Sequence, residues 1–153
     1  IKGIPQQAFC MDKYALCYSY IPGLAIRGSR ERPPPERFFV ALEELVEKIH
    51  AHNIVHLDIR YRNNILIMDN GDPAVIDFQS YCWLNRIPSF LHRPLKEIDL
   101  SGVYKRWNRT HPGTLGGERL AILERINRKR RYWPLKGYLG IKRSPGSRIR
   151  EAI

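Results

Sequence analysis

At 153 residues, 43% hydrophobic and 27% charged, the chain has the make-up of one globular domain with enough length to bury a core. No apolar run approaches the ~20 residues that span a bilayer. Three cysteines (Cys10, Cys17 and Cys82) with no CxxC pair argue against a disulfide framework or a zinc site, and a net charge of +11 points toward anionic partners.

That charge is uneven. Residues 119–153 hold eleven Lys/Arg against Glu124 and Glu151. Such a tail suits a phosphorylated glycolipid, a nucleic acid or an acidic membrane face, or else forms a solvated surface. A reducing cytoplasm is the expected compartment, with peripheral contact at the inner membrane face through the tail. The opening Ile1-Lys2-Gly3-Ile4-Pro5 has neither an initiator Met nor a signal-peptide pattern, so a fragment or processed product is expected.

Residues 8–21 read as two short strands, the second over Tyr14–Ile21, broken by Pro22-Gly23. Lys2 reads as a loop residue ahead of them. Residues 27–35 are charged and Pro-rich, a loop ending where a helix can begin. From Glu36 to about His52 the period is helical. Phe38, Leu42, Leu45 and Ile49 form one stripe with Phe39 and Val46 beside it, and Glu43, Glu44, Glu47 and Lys48 take the other side. Asn53 stands where a left-handed C-terminal cap is wanted.

Asn64–Met68 reads as a strand, Asp69-Asn70-Gly71-Asp72 as a hairpin turn, and Ala74-Val75-Ile76 as the return strand that delivers Asp77. Residues 95–106 predict a helix carrying Asp99, and Thr114 is expected to cap another running to about Arg130. The last twenty residues predict irregular structure. His92 and His111 lack metal-ligand spacing and read as surface residues. Trp83, Trp107 and Trp133 read as packing residues. The Arg128–Arg131 cluster reads as a phosphate clamp or a solvated helix end. There is no internal repeat.

The hairpin brings Asn64 and Asp77 together although they lie thirteen positions apart. An Asp in a loop after a helix, an Asn entering a strand and an Asp leaving the next strand meet the needs of phosphoryl transfer. That chemistry asks for a group to orient a hydroxyl and for hard oxygen ligands to a metal. The run His56-Leu57-Asp58-Ile59-Arg60-Tyr61-Arg62-Asn63-Asn64-Ile65-Leu66-Ile67 resembles the catalytic loop of the protein-kinase-like superfamily, H-x-D followed by N-[IV]-L-[IV]. Val75-Ile76-Asp77-Phe78 resembles its metal-binding strand end. The Asp58, Arg60, Arg62 spacing is most similar to the small bacterial RIO-type and lipopolysaccharide-core kinases.

The resemblance implies an α+β, protein-kinase-like fold, mainly the C-terminal lobe with hinge strands. Residues 1–22 would be the remnant of the N-terminal lobe and hinge, 23–133 the C-terminal lobe, and 134–153 a basic irregular tail. It implies an ATP- and Mg2+-dependent phosphotransferase. The acceptor would be a hydroxyl on a lipopolysaccharide-type sugar, another anionic glycolipid or phosphorylated substrate, or a protein.

Asp58 would be the base or hydroxyl-orienting residue, and Arg60 would hold the transferring phosphoryl. His56 would brace the loop. Asn64 and Asp77 would be metal ligands, with Asn63 the alternative to Asn64 because the loop is one residue longer than in most protein kinases. Tyr20 and Ile21, within the hinge-like Tyr18–Ile21, would contact adenine through their backbone. Asp99, ahead of Val103 and Lys105, resembles the D-x-x-x-V-x-K of the bacterial branch and would anchor the catalytic loop, or else is an exposed acid near a helix start.

Three departures stand beside these matches. Gln79 replaces the Gly of D-F-G, as in RIO-type kinases. No Gly-rich phosphate loop occurs within the chain, nor a Lys strand with its Glu partner. The alternative reading is a catalytically inactive kinase-fold module that binds an anionic partner. The antibiotic and choline phosphotransferase branch shares H-x-D and I-D, but this tail is short and basic for it. No nucleic-acid reader motif is present.

Overall fold

The computed structural model describes residues 1–10, 16–28 and 33–131. Tyr14 and Ala15 of the predicted second strand, the centre of the Pro-rich loop, Trp133 and most of the basic tail lie outside the described residues. The architecture is mixed α+β, with three helices and short antiparallel strand pairs among the described residues.

Helix α1 (Glu36–Ala51) starts at Pro35, whose carbonyl accepts the Phe38 N–H. Proline suits this edge because its missing N–H would have no partner there and its φ is preset. The predicted stripe is the buried one: Phe38, Phe39, Leu42, Leu45, Val46 and Ile49 all enter the core. The helix ends at Asn53, which takes the expected left-handed conformation at φ 60°. Glu43 departs from expectation. It is buried, accepting 2.6 Å from the Tyr104 hydroxyl and 2.9 Å from Arg119 Nε. Those partners arrive from distant helices, which the local period cannot register. Burial first, then the bond to Glu43, pushes the Tyr104 phenol above its ordinary value.

Strand β1 (Phe9–Cys10) pairs antiparallel with β2 (Leu16–Cys17). The predicted strand through Ile21 stops at Cys17. Pro22 follows, with no N–H to give a ladder. Gly23 sits so close to β5 (Ile65–Ile67) that a Cβ there would lie 2.6 Å from the Ile67 carbonyl oxygen. That approach admits β3 (Leu24–Ala25) onto β5, which pairs on its other side with β6 (Pro73–Val75).

The β5–β6 hairpin forms as expected, in the register Ile65↔Val75, Leu66↔Ala74 and Ile67↔Pro73. Its loop is residues 69–71: Met68 N donates to Asp72 O, Gly71 N donates to Met68 O, and Gly71 adopts φ 83°. Gly3 O accepts from Val75 N, and Lys2 Nζ lies 3.0 Å from Asp72 Oδ2, so the first residues run along β6.

Strand β4 (Ile54–Val55) pairs with β7 (Cys82–Trp83) and closes off the loop between them. Helix α2 spans Ser89–Thr110 and begins six residues earlier than the sequence suggests, running through Pro94. Its buried face includes Glu97, Asp99, Ser101 and Gly102 beside Val103, Tyr104 and Trp107. Pro94 reads as a helix break in sequence, which hides the first residues of the helix.

Helix α3 spans Gly117–Arg131 and buries Leu123 and Ile126. Thr114 is not its cap. The Thr114 hydroxyl accepts from Trp107 Nε1 and donates to His111 O. Arg128 and Lys129 are exposed on α3.

Three aromatic and cationic side chains lock the helices together. Trp107 stacks on Phe39 at 6.0 Å, and the Arg119 guanidinium lies 5.0 Å from the Trp107 ring centre. His92 and His111 are not simple surface residues. They are half-buried, and each donates a ring N–H to a backbone carbonyl, of Ile87 and Pro34 respectively. Trp83 is exposed, edge-on to Tyr81. Among the described residues no helix is long and apolar enough to cross a membrane. Phe39 is fully buried where α1 meets α2, so Phe39→Ala is expected to cost ~3–5 kcal/mol. Urea denaturation should show it as a lower midpoint at unchanged slope.

Candidate active site

The site is built on the segment from His56 to Asn64, between β4 and β5. Two consecutive backbone N–H groups, those of His56 and Leu57, donate to the two carboxylate oxygens of Asp99 at 2.7 Å each. His50 of α1 adds a third bond, its Nε2 lying 3.1 Å from Asp99 Oδ2. Asp99 is only 1% exposed, so it is an interior anchor and not an exposed acid. The grip holds Leu57 at φ 66°, a conformation that costs a branched residue ~1–2 kcal/mol. Charge-assisted bonds of this kind compensate such strain.

The buried His56 ring spans the site. Its Nε2 donates to Ile76 O at 3.0 Å, and its Nδ1 accepts from Asp58 N at 3.2 Å. A carbonyl can only accept and an amide N–H can only donate, so the proton sits on Nε2. The ring also packs 4.6 Å from that of Phe78. Through His56, the loop carrying Asp58 is tied to the strand end carrying Asp77.

Asn64 is 2% exposed, and its amide nitrogen donates to the Asp58 backbone carbonyl at 3.2 Å and to Asp58 Oδ2 at 3.1 Å. Both partners are acceptors, which fixes the orientation of the amide and leaves Oδ1 as its acceptor atom. Asn63 turns elsewhere, to the Tyr61 hydroxyl. Of the two asparagines, Asn64 is the one joined to Asp58. Ile76 N donates to Asn64 O at 2.9 Å, which places Asp77 one residue beyond this cross-strand bond. Asp77 adopts the left-handed conformation at φ 64°, outside the ladder and half-buried.

Asp58 and Asn64 are therefore joined directly, and His56 ties their segment to the strand end that bears Asp77. Arg60 has structural partners. Its guanidinium donates to Ser101 Oγ at 2.7 Å and Asn127 Oδ1 at 2.8 Å, and its carbonyl accepts from Arg106. The loop is thereby clamped to α2 and α3. Tyr20 is 83% exposed and Ile21 half-buried, in a segment that is not a strand. His50, Ser101, Arg106 and Asn127 escaped sequence reasoning, since their contacts to the loop come from elements up to 67 positions away.

Gly102 lets α2 seat against the loop. A Cβ there would lie 2.9 Å from Arg60 N and 3.0 Å from the Ile59 carbonyl carbon. The donor set for a metal would be Asn64 Oδ1 and the Asp77 carboxylate. Among the described residues there is no group of three or more His, Cys, Asp and Glu able to hold a metal ion. An amide oxygen and a carboxylate are hard donors of the kind Mg2+ takes, one or two from protein with phosphate and water completing the shell.

No protein-family model matches the chain, and no curated protein matches it.

Asp99→Ala strands the N–H groups of buried His56 and half-buried Leu57 and is expected to cost roughly 3–5 kcal/mol in a urea melt. Asp77→Asn should stay within ~0.5 kcal/mol of wild type, since Asn tolerates the left-handed conformation. Gly102→Ala gives a sharper test. Helix propensity alone would stabilise it by ~1 kcal/mol, whereas the close contact with the Arg60 backbone makes destabilisation the expected sign. A rise in midpoint would refute the tight seating.

Proposed function

We propose that the chain carries the catalytic half of a kinase-like phosphotransferase that uses ATP and Mg2+ and acts on a hydroxyl acceptor. The observation that carries this reading is the joining of Asn64 to Asp58 beside the strand end bearing Asp77, all tied by His56. It is supported by the order of the residues, His56-Leu57-Asp58, Asn64-Ile65-Leu66-Ile67 and Ile76-Asp77-Phe78.

In this reading Asp58 accepts a hydrogen bond from the acceptor hydroxyl and orients it for in-line attack. Asn64 holds the Asp58 carboxylate in place through its amide nitrogen. Asn64 Oδ1 and Asp77 supply the oxygen ligands for magnesium, which when bound neutralises phosphate charge. His56 keeps the two acid-bearing segments in register. Asp99 positions the loop without touching a reactant. Arg60 takes part chiefly as a clamp, given its bonds to Ser101 and Asn127. Adenine contact by the backbone of Tyr20 and Ile21 is part of the same proposal.

A second reading, an anion-binding module without turnover, is favoured by that structural engagement of Arg60. Magnesium-dependent ATP turnover separates the two. It is measured on this chain, on the chain with any upstream residues its gene encodes, and on Asp58→Asn and Asp77→Ala variants of each. Turnover is expected in at least one wild-type form, with a loss of ~10²–10⁴-fold in Asp58→Asn. If neither form binds nor turns over Mg-ATP, the phosphotransferase reading fails.

A further inference from the structure

Four arginines from separate parts of the chain line one cavity of about 310 Å3: Arg27 after β3, Arg62 in the His56–Asn64 segment, and Arg106 and Arg109 near the end of α2. Its volume falls at the low end of the ~300–1,000 Å3 typical of small-molecule sites. Pro34 contributes apolar wall and Thr110 a hydroxyl. No acidic side chain is among the described residues that line it. By contrast Arg93 and Arg125 pair with Glu97, and Arg119 with Glu43.

Arg106 is the telling member. Its Nη2 donates to the Arg60 carbonyl at 3.1 Å, but its Nε is buried without a hydrogen-bond partner. Buried N–H groups of this kind are rare in folded proteins. Burial first, then the like charges of Arg62 and Arg109, pulls the Arg106 guanidinium down to about 10. It is still a cation at neutral pH. The fold thus collects positive charge at a self-repelling spot that a bound anion would relieve.

We propose that this cavity binds a phosphate group, as a phosphomonoester or pyrophosphate, with Arg62, Arg106 and Arg109 as its donors. Guanidinium groups match the oxygens of phosphate in paired hydrogen bonds. Several converging cations suit a dianion better than a single carboxylate. The phosphate is carried by a small soluble molecule or by a lipid headgroup. The inference stands apart from the phosphotransferase reading, because binding here requires neither Asp58 nor Asp77.

The test is calorimetric titration of the full chain in EDTA at ~0.15 M salt. One arm uses pyrophosphate and the other phosphatidylcholine vesicles containing phosphatidic acid. Saturable binding of at least one probe is expected. Arg62→Ala and Arg109→Ala should each weaken it about tenfold or more, the effect of one lost charge-assisted hydrogen bond. Lys129→Ala, which removes an exposed charge from α3, and Asp77→Asn should leave it unchanged. Should Arg106→Gln fail to fold, the two outer arginines still decide.

Arginine-dependent binding of pyrophosphate assigns a soluble phosphate, and of vesicles alone a headgroup. Absence of saturable binding to both probes overturns the proposal. So does a loss in Lys129→Ala equal to that in Arg62→Ala, which would reduce the effect to net charge.

Discussion

The Asp99 carboxylate takes hydrogen bonds from two consecutive backbone N–H groups and a third from His50, and the order of the whole site follows from that grip. Two amides pointing the same way at adjacent residues require a turn that a branched side chain resists, and Leu57 meets the requirement at φ 66°. Once His56 and Leu57 are held, the His56 ring is aimed across the hairpin at Ile76 O and Phe78. Asp58 then falls where Asn64 can reach both its backbone and its side chain. A single interior acid on α2 thus sets the positions of residues on a different part of the chain, without contacting whatever they bind.

The helices serve this loop as a rigid floor. Gly102 allows α2 to touch the backbone at Ile59 and Arg60, and Arg60 reaches across to Ser101 and Asn127. Polar residues inside α2 are costly unless each finds a partner. Here the partners are the loop, α1 and α3. Glu43 and Glu97 play the same part between helices, receiving Tyr104 with Arg119 and Arg93 with Arg125 respectively. The specificity of the assembly rests on these satisfied interior groups as much as on the stacking of Phe39 and Trp107.

Charge is sorted by region. Asp58 is joined to Asn64, and His56 links its segment to the strand end that bears Asp77. Arg62 extends from the same loop toward Arg106 and Arg109, where only an anion can balance the field.

Much was legible in the sequence. The stripe of α1 reads directly because its burying residues are apolar and recur with the helical period. The Asn53 cap and the β5–β6 hairpin read directly because left-handed turns admit few residue types. The backbone bond between Asn64 and Ile76, next to Asp77, follows from hairpin geometry alone. Other features required the tertiary structure. The true start of α2, the interior roles of Glu43 and Asp99, the clamping of Arg60 and the gathering of Arg27, Arg62, Arg106 and Arg109 all depend on contacts between residues far apart in the chain. Local sequence carries information on backbone preference and on which face is greasy. A polar group's partner is chosen by packing, and burial of a charge has no local signature until the element that covers it is in place.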